Sequence, residues 1–440
     1  MKRIWSRLAV LCLAALLLSG CSMTTVDKMY RLPKRSEEYN NLQSAIDKAM
    51  TDLEYCAPQA GEYQQTVQMA DLDGDSTEEY LVFAKGTAEQ PMQILVFHQV
   101  GEDYVLTQTL ESHGTAFDRV EYVQMDGKPG VELVVGRQVS DQVMGAVSVY
   151  SFHSGEAEQI VKASYTKFVT CELDGDGLCE LLVLRPGQTE SDKGIAELYG
   201  MKDGTPERYT EVSMSEPVDK LKRVITGSLH DGHSAVFVAS TVAESAIITD
   251  VYAVIDGMFT NVSLSMESGT SVQTLRSYYV YADDIDNDGV VELPSLITMR
   301  PLTGGRSADM QYLIRWFALT SEGQEVDKMF TFHNYADGWY FRLDSQWAHR
   351  LTVEQHAEQC DFYLWDEAGE NVSRLLSVFT FTGPDRETQA IENDRFVLHR
   401  TDSTVYAAEL YDGFASLGVT REDLINNFYL IRQDWKTGET

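Results

Sequence analysis

The 440-residue sequence predicts a mainly β chain, a β-propeller of about five blades over residues 62–326, followed by a small α+β domain over 327–440. Three observations predict it. Acidic loops recur in one frame, an apolar strand-type run follows each of them, and helical periodicity is confined to the flanks.

The runs that set the ruler are Glu79–Phe83, Glu132–Val135, Glu180–Leu184 and Glu292–Ile297, with Val236–Val238 as a degenerate member. Their first positions lie 53, 48, 56 and 56 residues apart, which makes them a repeat. Second strands are expected at 93–98, 146–151, 195–199, 248–254 and 312–318, each ending on or near an aromatic: Phe97, Tyr150, Tyr199, Tyr252 and Trp316. Weaker third strands are read at 104–108, 159–162, 209–213 and 259–263. Fourth strands precede the next loop at 117–123, 165–170, 218–224 and 277–281. Four strands in about 50 residues is the signature of a propeller blade. A lone four-stranded sheet cannot bury both faces, whereas successive sheets cover one another and leave only short edges.

Beyond about residue 327 the frame fails. Strands are expected at 330–332, 338–343, 362–365, 375–381 and 396–398, between polar turns. Thr420 with Asp423 three residues on reads as a capping box that opens a helix carrying Leu424, Ile425 and Phe428.

At the other end, Lys2, Arg3 and Arg7 precede an apolar run from Leu8 to Leu18 and the small residues Ser19 and Gly20. This is the pattern of a secretory signal peptide over 1–20, too short for a bilayer span of about 20 apolar residues. Leu18-Ser-Gly-Cys21 resembles a bacterial lipobox, which implies cleavage before Cys21 and a diacylglycerol with palmitate-type acyl chains on its thiol. The expected location is therefore the extracytoplasmic side of a bacterial membrane, to which the lipid on Cys21 anchors the chain. Residues 21–35 are polar and aperiodic, fitting a tether. Within 36–61, Tyr39, Leu42, Ile46, Met50 and Leu53 make the stripe of an amphipathic helix, with Ser36 as N-cap and Glu37 and Glu38 in the first turn.

Charge narrows the partners. Removal of residues 1–20 takes three of the 35 basic residues and none of the 68 acidic ones, so the exported chain carries 32 against 68, a net −36. Such a surface repels nucleic-acid phosphates and anionic head groups and suits divalent cations.

The three acidic loops are Asp71-Leu-Asp73-Gly-Asp75-Ser-Thr-Glu-Glu79, Glu172-Leu-Asp174-Gly-Asp176-Gly-Leu-Cys-Glu180 and Asp284-Ile-Asp286-Asn-Asp288-Gly-Val-Val-Glu292. Carboxylates at positions 1, 3, 5 and 9, with a carbonyl at 7, supply the oxygen shell that Ca2+ demands. An EF-hand would carry its glutamate at position 12 between helices, so these cradles belong to strand-loop-strand elements. Gly74, Gly175 and Gly289 permit the tight wrapping. Two sister loops serve as controls: Gln124, Asp126 and Lys128 in one, and Ser228, His230 and Gly232 in the other, keep a turn but lose the ligand set. A turn alone does not require the acids. Calcium at up to three sites is expected to be structural.

Of the cysteines beyond Cys21, none pairs as C-x-x-C, which removes support for a thiolate zinc site. Cys171 and Cys179 flank the second acidic loop. A disulfide across its neck stays open, with separate thiols the favoured state.

Residues 62–326, through the D-x-D-x-D-x-x-x-E loops and the apolar strand after each, resemble the FG-GAP or VCBS-type repeats of integrin alpha-subunit propellers and bacterial surface proteins. The resemblance implies a calcium-stabilised propeller used for adhesion or ligand binding. The chain departs from that family in lacking Phe-Gly and Gly-Ala-Pro motifs.

Catalytic motifs are not found: neither a G-x-S-x-G elbow, an H-E-x-x-H helix nor a P-loop occurs. His230-Asp-Gly-His233 reads as a polar turn in place of an acidic loop, and His349 and His356, seven apart, as surface residues that would share a helical face only if the segment were helical. The expected function is a non-catalytic, membrane-anchored binding, adhesion or scaffold module for an extracytoplasmic protein or glycan. The alternative is an envelope polysaccharide hydrolase or lyase on the same fold.

Overall fold

A computed structural model describes residues 37–432 apart from 87–90, 141–143, 154, 188, 190, 203, 219, 244–245, 278–279 and 303–310. The expected signal peptide, Cys21, the tether and Ser36 lie outside the described residues.

Six antiparallel sheets follow one another along the chain. The first contains Glu54–Tyr55, Val67–Ala70, Glu79–Lys85, Met92–Val100 and Asp103–Ser112, and the second Ala116–Val123, Glu132–Gln138, Gly145–Ser151 and Glu158–Tyr165. The third is built from Lys167–Cys171, Glu180–Arg185, Ile195–Lys202, Thr205–Arg208 and Val212–Ser213. The fourth uses Lys220–Ser228, Ser234–Val242, Ala246–Ile255 and Met258–Asn261. Leu293–Thr298, Tyr312–Leu319, Glu325–Asn334, Trp339–Leu343 and the late strand Phe428–Leu430 form the fifth. The sixth has Leu351–Gln355, Gln359–Trp365, Val372–Thr382 and Thr404–Leu410, with Phe396–Arg400 at its edge.

The strands after the first two acidic loops are buried on both faces, which is why they read as unbroken apolar runs, whereas Leu293–Thr298 after the third is buried only at its start. Leu81, Val82, Phe83 and Ala84 are all fully buried. Apolar cores fill the gaps between successive sheets. Phe83 and Val96 meet Phe117 and Leu133 between the first two, Val134 and Val149 meet Phe168 and Leu181 between the next two, and Leu182 and Leu198 meet Val236 and Ile248 after that. Phe237 and Val251 then pack with Leu293 and Phe317, and Phe332, Trp339 and Phe341 with Val353, Phe362 and Leu376. Among the described residues no apolar cluster joins the sixth sheet to the first. Helix α1, Glu37–Ala49, instead lays Leu42, Ala45, Ile46 and Ala49 on Val82, Leu95 and Phe97 of the first sheet. The outer face of the sixth sheet, with Phe379, Phe381 and Val405, packs around Ala390 after the short helix α2, Arg386–Gln389.

Several expectations are corrected. The described residues form six sheets where five were expected, because residues 327–432 complete the fifth and supply the sixth alongside the short helices. The expected division at 326/327 falls inside Glu325–Asn334, the third strand of the fifth sheet. No strand forms over the described part of 277–281. There, Asp283 and Glu292 make one isolated bridge, so the fifth sheet starts one strand later in the frame. The capping box at Thr420 and Asp423 is present and opens α3, Arg421–Asn426. That helix stops before Phe428, whose ring stacks on Trp339 as part of the returning strand. His349 and His356 flank the strand Leu351–Gln355 and share no helix.

Candidate metal centres

The acidic loops are tied together before any ion is considered. In each of four loops the position-9 glutamate accepts the backbone N–H of position 2: Leu72 N–H to Glu79 Oε2 at 2.9 Å, Met125 to Glu132 at 2.7 Å, Leu173 to Glu180 at 2.7 Å and Ile285 to Glu292 at 3.1 Å. The position-2 side chains are buried between sheets, and a buried N–H must be paired. One carboxylate oxygen is thus committed to the backbone, and the other is left for the loop. In the degenerate fourth loop Val236 replaces the glutamate, and Leu229 N–H turns to the His233 carbonyl at 2.8 Å. His230-Asp-Gly-His233 is therefore a turn, with Asp231 held by Ser321.

Neighbouring loops are also bonded to each other. The position-8 N–H donates to the position-1 carbonyl of the preceding loop: Val131 to Asp71 at 3.1 Å, Cys179 to Gln124 at 2.8 Å and Val291 to Ser228 at 3.0 Å. These bonds join the first three loops in one row and the fourth to the fifth. The approach is close. A Cβ on Gly74, at φ +80°, would lie 2.4 Å from the Pro129 backbone of the next loop.

Within each acidic loop the structure brings together positions 1, 3 and 9. Ligand atoms of Asp71, Asp73 and Glu79, of Glu172, Asp174 and Glu180, and of Asp284, Asp286 and Glu292 lie within 4.8 Å of one another. Position 5 also accepts the N–H of position 7, Asp75 from Thr77 at 2.7 Å, Asp176 from Leu178 at 2.7 Å and Asp288 from Val290 at 2.9 Å, and in the first loop Asp75 joins Asp73 and His98 in a second group within the same reach. In the last loop Asp286 Oδ1 and Glu292 Oε1 are buried and accept no hydrogen bond, as expected of oxygens arranged for a cation. The donor set fits a hard divalent ion.

What faces position 9 differs from sheet to sheet. His98, on the adjacent strand, places Nδ1 2.8 Å from Glu79 Oε1 and Nε2 3.8 Å from Asp75. Lys328 reaches Asp288 at 2.5 Å and lies 3.7 Å from Glu292 Oε1. Opposite Glu180 stands Gly200, and the third loop's added contact is a neutral one, Tyr209 Oη donating to Asp174 at 2.9 Å. Burial, reinforced by Asp174, Asp176 and Glu172, accordingly pushes Glu180 up to about 8, and burial with Asp286 beside it pushes Glu292 up to about 7. The third loop gains most from a cation.

The control loop of the second sheet is not empty of ligands. His153, from the turn after Gly145–Ser151, joins Asp126 and Glu132 in a group within the same 4.8 Å reach. The sequence carried no positional signal for this: His98 stands opposite Glu79 on its strand, whereas the residue opposite Glu132 is Ser151 and His153 lies two residues further on, in the turn. The four cysteines among the described residues are free thiols, including Cys171 and Cys179.

No family model matches the sequence, and no curated protein matches it. Solved structures do match. One is a protein from Lactobacillus plantarum, 13% identical, with a TM-score of 0.30 over 72% of this chain and 85% of the other. A second is rhamnogalacturonan lyase YesW, 11% identical at 0.32 over 69% and 58%. A third is Chaetomium thermophilum Sqt1 bound to the N-terminus of a ribosomal protein, 11% identical at 0.30 over 78% and 95%. Likenesses at that level carry neither fold nor function across to this chain.

Proposed function

We propose that the protein is an extracytoplasmic lipoprotein, tethered to a bacterial membrane through Cys21, whose six sheets form a propeller-like array of FG-GAP or VCBS type that binds a protein or glycan without catalysis. Calcium is structural in it. Asp71, Asp73 and Glu79, Glu172, Asp174 and Glu180, and Asp284, Asp286 and Glu292 hold the ions, with Asp75, Asp176 and Asp288 shaping the loops from position 5.

The observation that carries the reading is the convergence of positions 1, 3 and 9 in three loops, each bonded to a neighbouring sister loop. An ion in such a loop joins the start of one strand to the end of another and stiffens one end of the stack. The net −36 of the exported chain favours cation uptake and disfavours nucleic acid. Among the described residues no helix is long and apolar enough to cross a membrane.

The test has two parts. Calorimetry with Ca2+ on residues 22–440 should show saturable binding that weakens in Asp73→Ala and Asp286→Ala. Arrays of envelope proteins and glycans probed with the same chain should yield a saturable ligand. A chain that binds neither calcium nor any arrayed ligand removes the proposal.

A further inference from the structure

We infer that Asp126, Glu132 and His153 form a separate site for a borderline divalent transition cation of the zinc class, distinct from the three acidic calcium loops, of which the first also has an imidazole, His98, beside Asp73 and Asp75. The loop that holds Asp126 kept its turn while exchanging acids for Gln124 and Lys128, so it offers too few oxygens for Ca2+, which takes six to eight. What it gained is an imidazole. Two carboxylates and one histidine are a donor set that zinc-class ions accept, with water in the remaining position.

The geometry supports this. His153 Nε2 lies 2.9 Å from Asp126 Oδ2 and 3.4 Å from Glu132 Oε1. That nitrogen is buried and faces both carboxylates, so the three groups already converge on one spot. The Asp126 and Glu132 side chains are each only 1% exposed. Glu132 Oε2 is fixed by Met125 N–H, and Asp126 Oδ1 by Lys128 N–H at 2.9 Å, which orients both groups as outer bonds orient metal ligands. Lys128 Nζ rests on Asp126 Oδ2 at 2.9 Å, but its side chain is half exposed and free to swing out. It acts as a built-in competitor for the ion.

The experiment titrates Zn2+ into residues 22–440 already saturated with Ca2+, with Co2+ absorption as a second readout. Wild type should take up a zinc equivalent that His153→Ala loses, whereas His98→Ala and Asp174→Asn retain it. Lys128→Ala should tighten that equivalent several-fold, a gain that no folding defect mimics. Calcium binding should be unchanged in His153→Ala, which separates failure of this site from failure of the calcium reading. If His153→Ala and wild type titrate alike, or if Co2+ acquires no histidine-dependent absorption, the three residues are an ion pair only and the inference falls.

Discussion

Glu180 accepts the backbone N–H of Leu173 at 2.7 Å, and the same bond joins Glu132 to Met125 at 2.7 Å in a loop where the neutral Gln124 stands in place of the first acid. The terminal glutamate is therefore a backbone clamp first and a ligand second. Glu180→Ala should lose about 1–3 kcal/mol by stranding a buried N–H. Glu180→Gln, whose carbonyl still accepts that bond, should keep most of the stability and lose calcium affinity. Urea unfolding with and without Ca2+ separates the two, and equal losses in both variants would refute the clamp.

Removal of calcium should be felt most in the third loop, where no histidine or lysine faces Glu180. At ten times the dissociation constant each bound ion adds about 1.4 kcal/mol. EDTA should lower the melting temperature of wild type, and Asp174→Asn should reduce that drop more than Asp71→Asn. Scanning calorimetry reads both.

The nesting of the first two loops makes one glycine far less replaceable than its counterpart. Gly74 and Gly175 share a left-handed backbone, which costs alanine about 1–2 kcal/mol in either place. Only at Gly74 does the new Cβ meet backbone, 2.4 Å away at Pro129, whereas nothing lies within 4 Å at Gly175. Gly74→Ala should therefore be the more destabilised variant by its denaturation midpoint.

Acid should weaken the fifth sheet through His333. Burial lowers this imidazole to about 3, among the rings of Trp316, Tyr335 and Tyr340. Its folded value lies below the unfolded one of about 6.5, so the stabilisation is complete above pH 6.5 and is lost as pH falls toward 3. His333→Gln should flatten the pH dependence of stability across that window, and an unchanged slope would exclude His333 as its source.

The returning C-terminal strand is a structural strap. Phe428 packs within 5.6 Å of Trp339, 5.3 Å of Phe341 and 5.3 Å of Tyr406, bridging the fifth and sixth sheets. Phe428→Ala should cost about 3–5 kcal/mol. Intrinsic tryptophan fluorescence during unfolding measures it.

Much of this was legible in the chain itself. The position-9 glutamates, the buried runs after them and the roughly 50-residue spacing located the strands of the first four sheets, because a strand buried on both faces must be apolar throughout. The Thr420 capping box was legible because its partners lie three residues apart. Local contacts are written in local sequence.

What the tertiary structure decided is the content of each loop and the end of the stack. His98, His153 and Lys328 reach the acidic loops from adjacent strands or turns, and Phe428 returns to a sheet begun far earlier, so no spacing within one loop or strand encodes them. Three strands of the sixth sheet were legible at 362–365, 375–381 and 396–398, but their order was not: Thr404–Leu410 inserts between Val372–Thr382 and Phe396–Arg400 out of chain order. The sequence by itself determined where the acidic loops recur. Which side chain each one faces was decided only by the strand pairing and turns that bring it across.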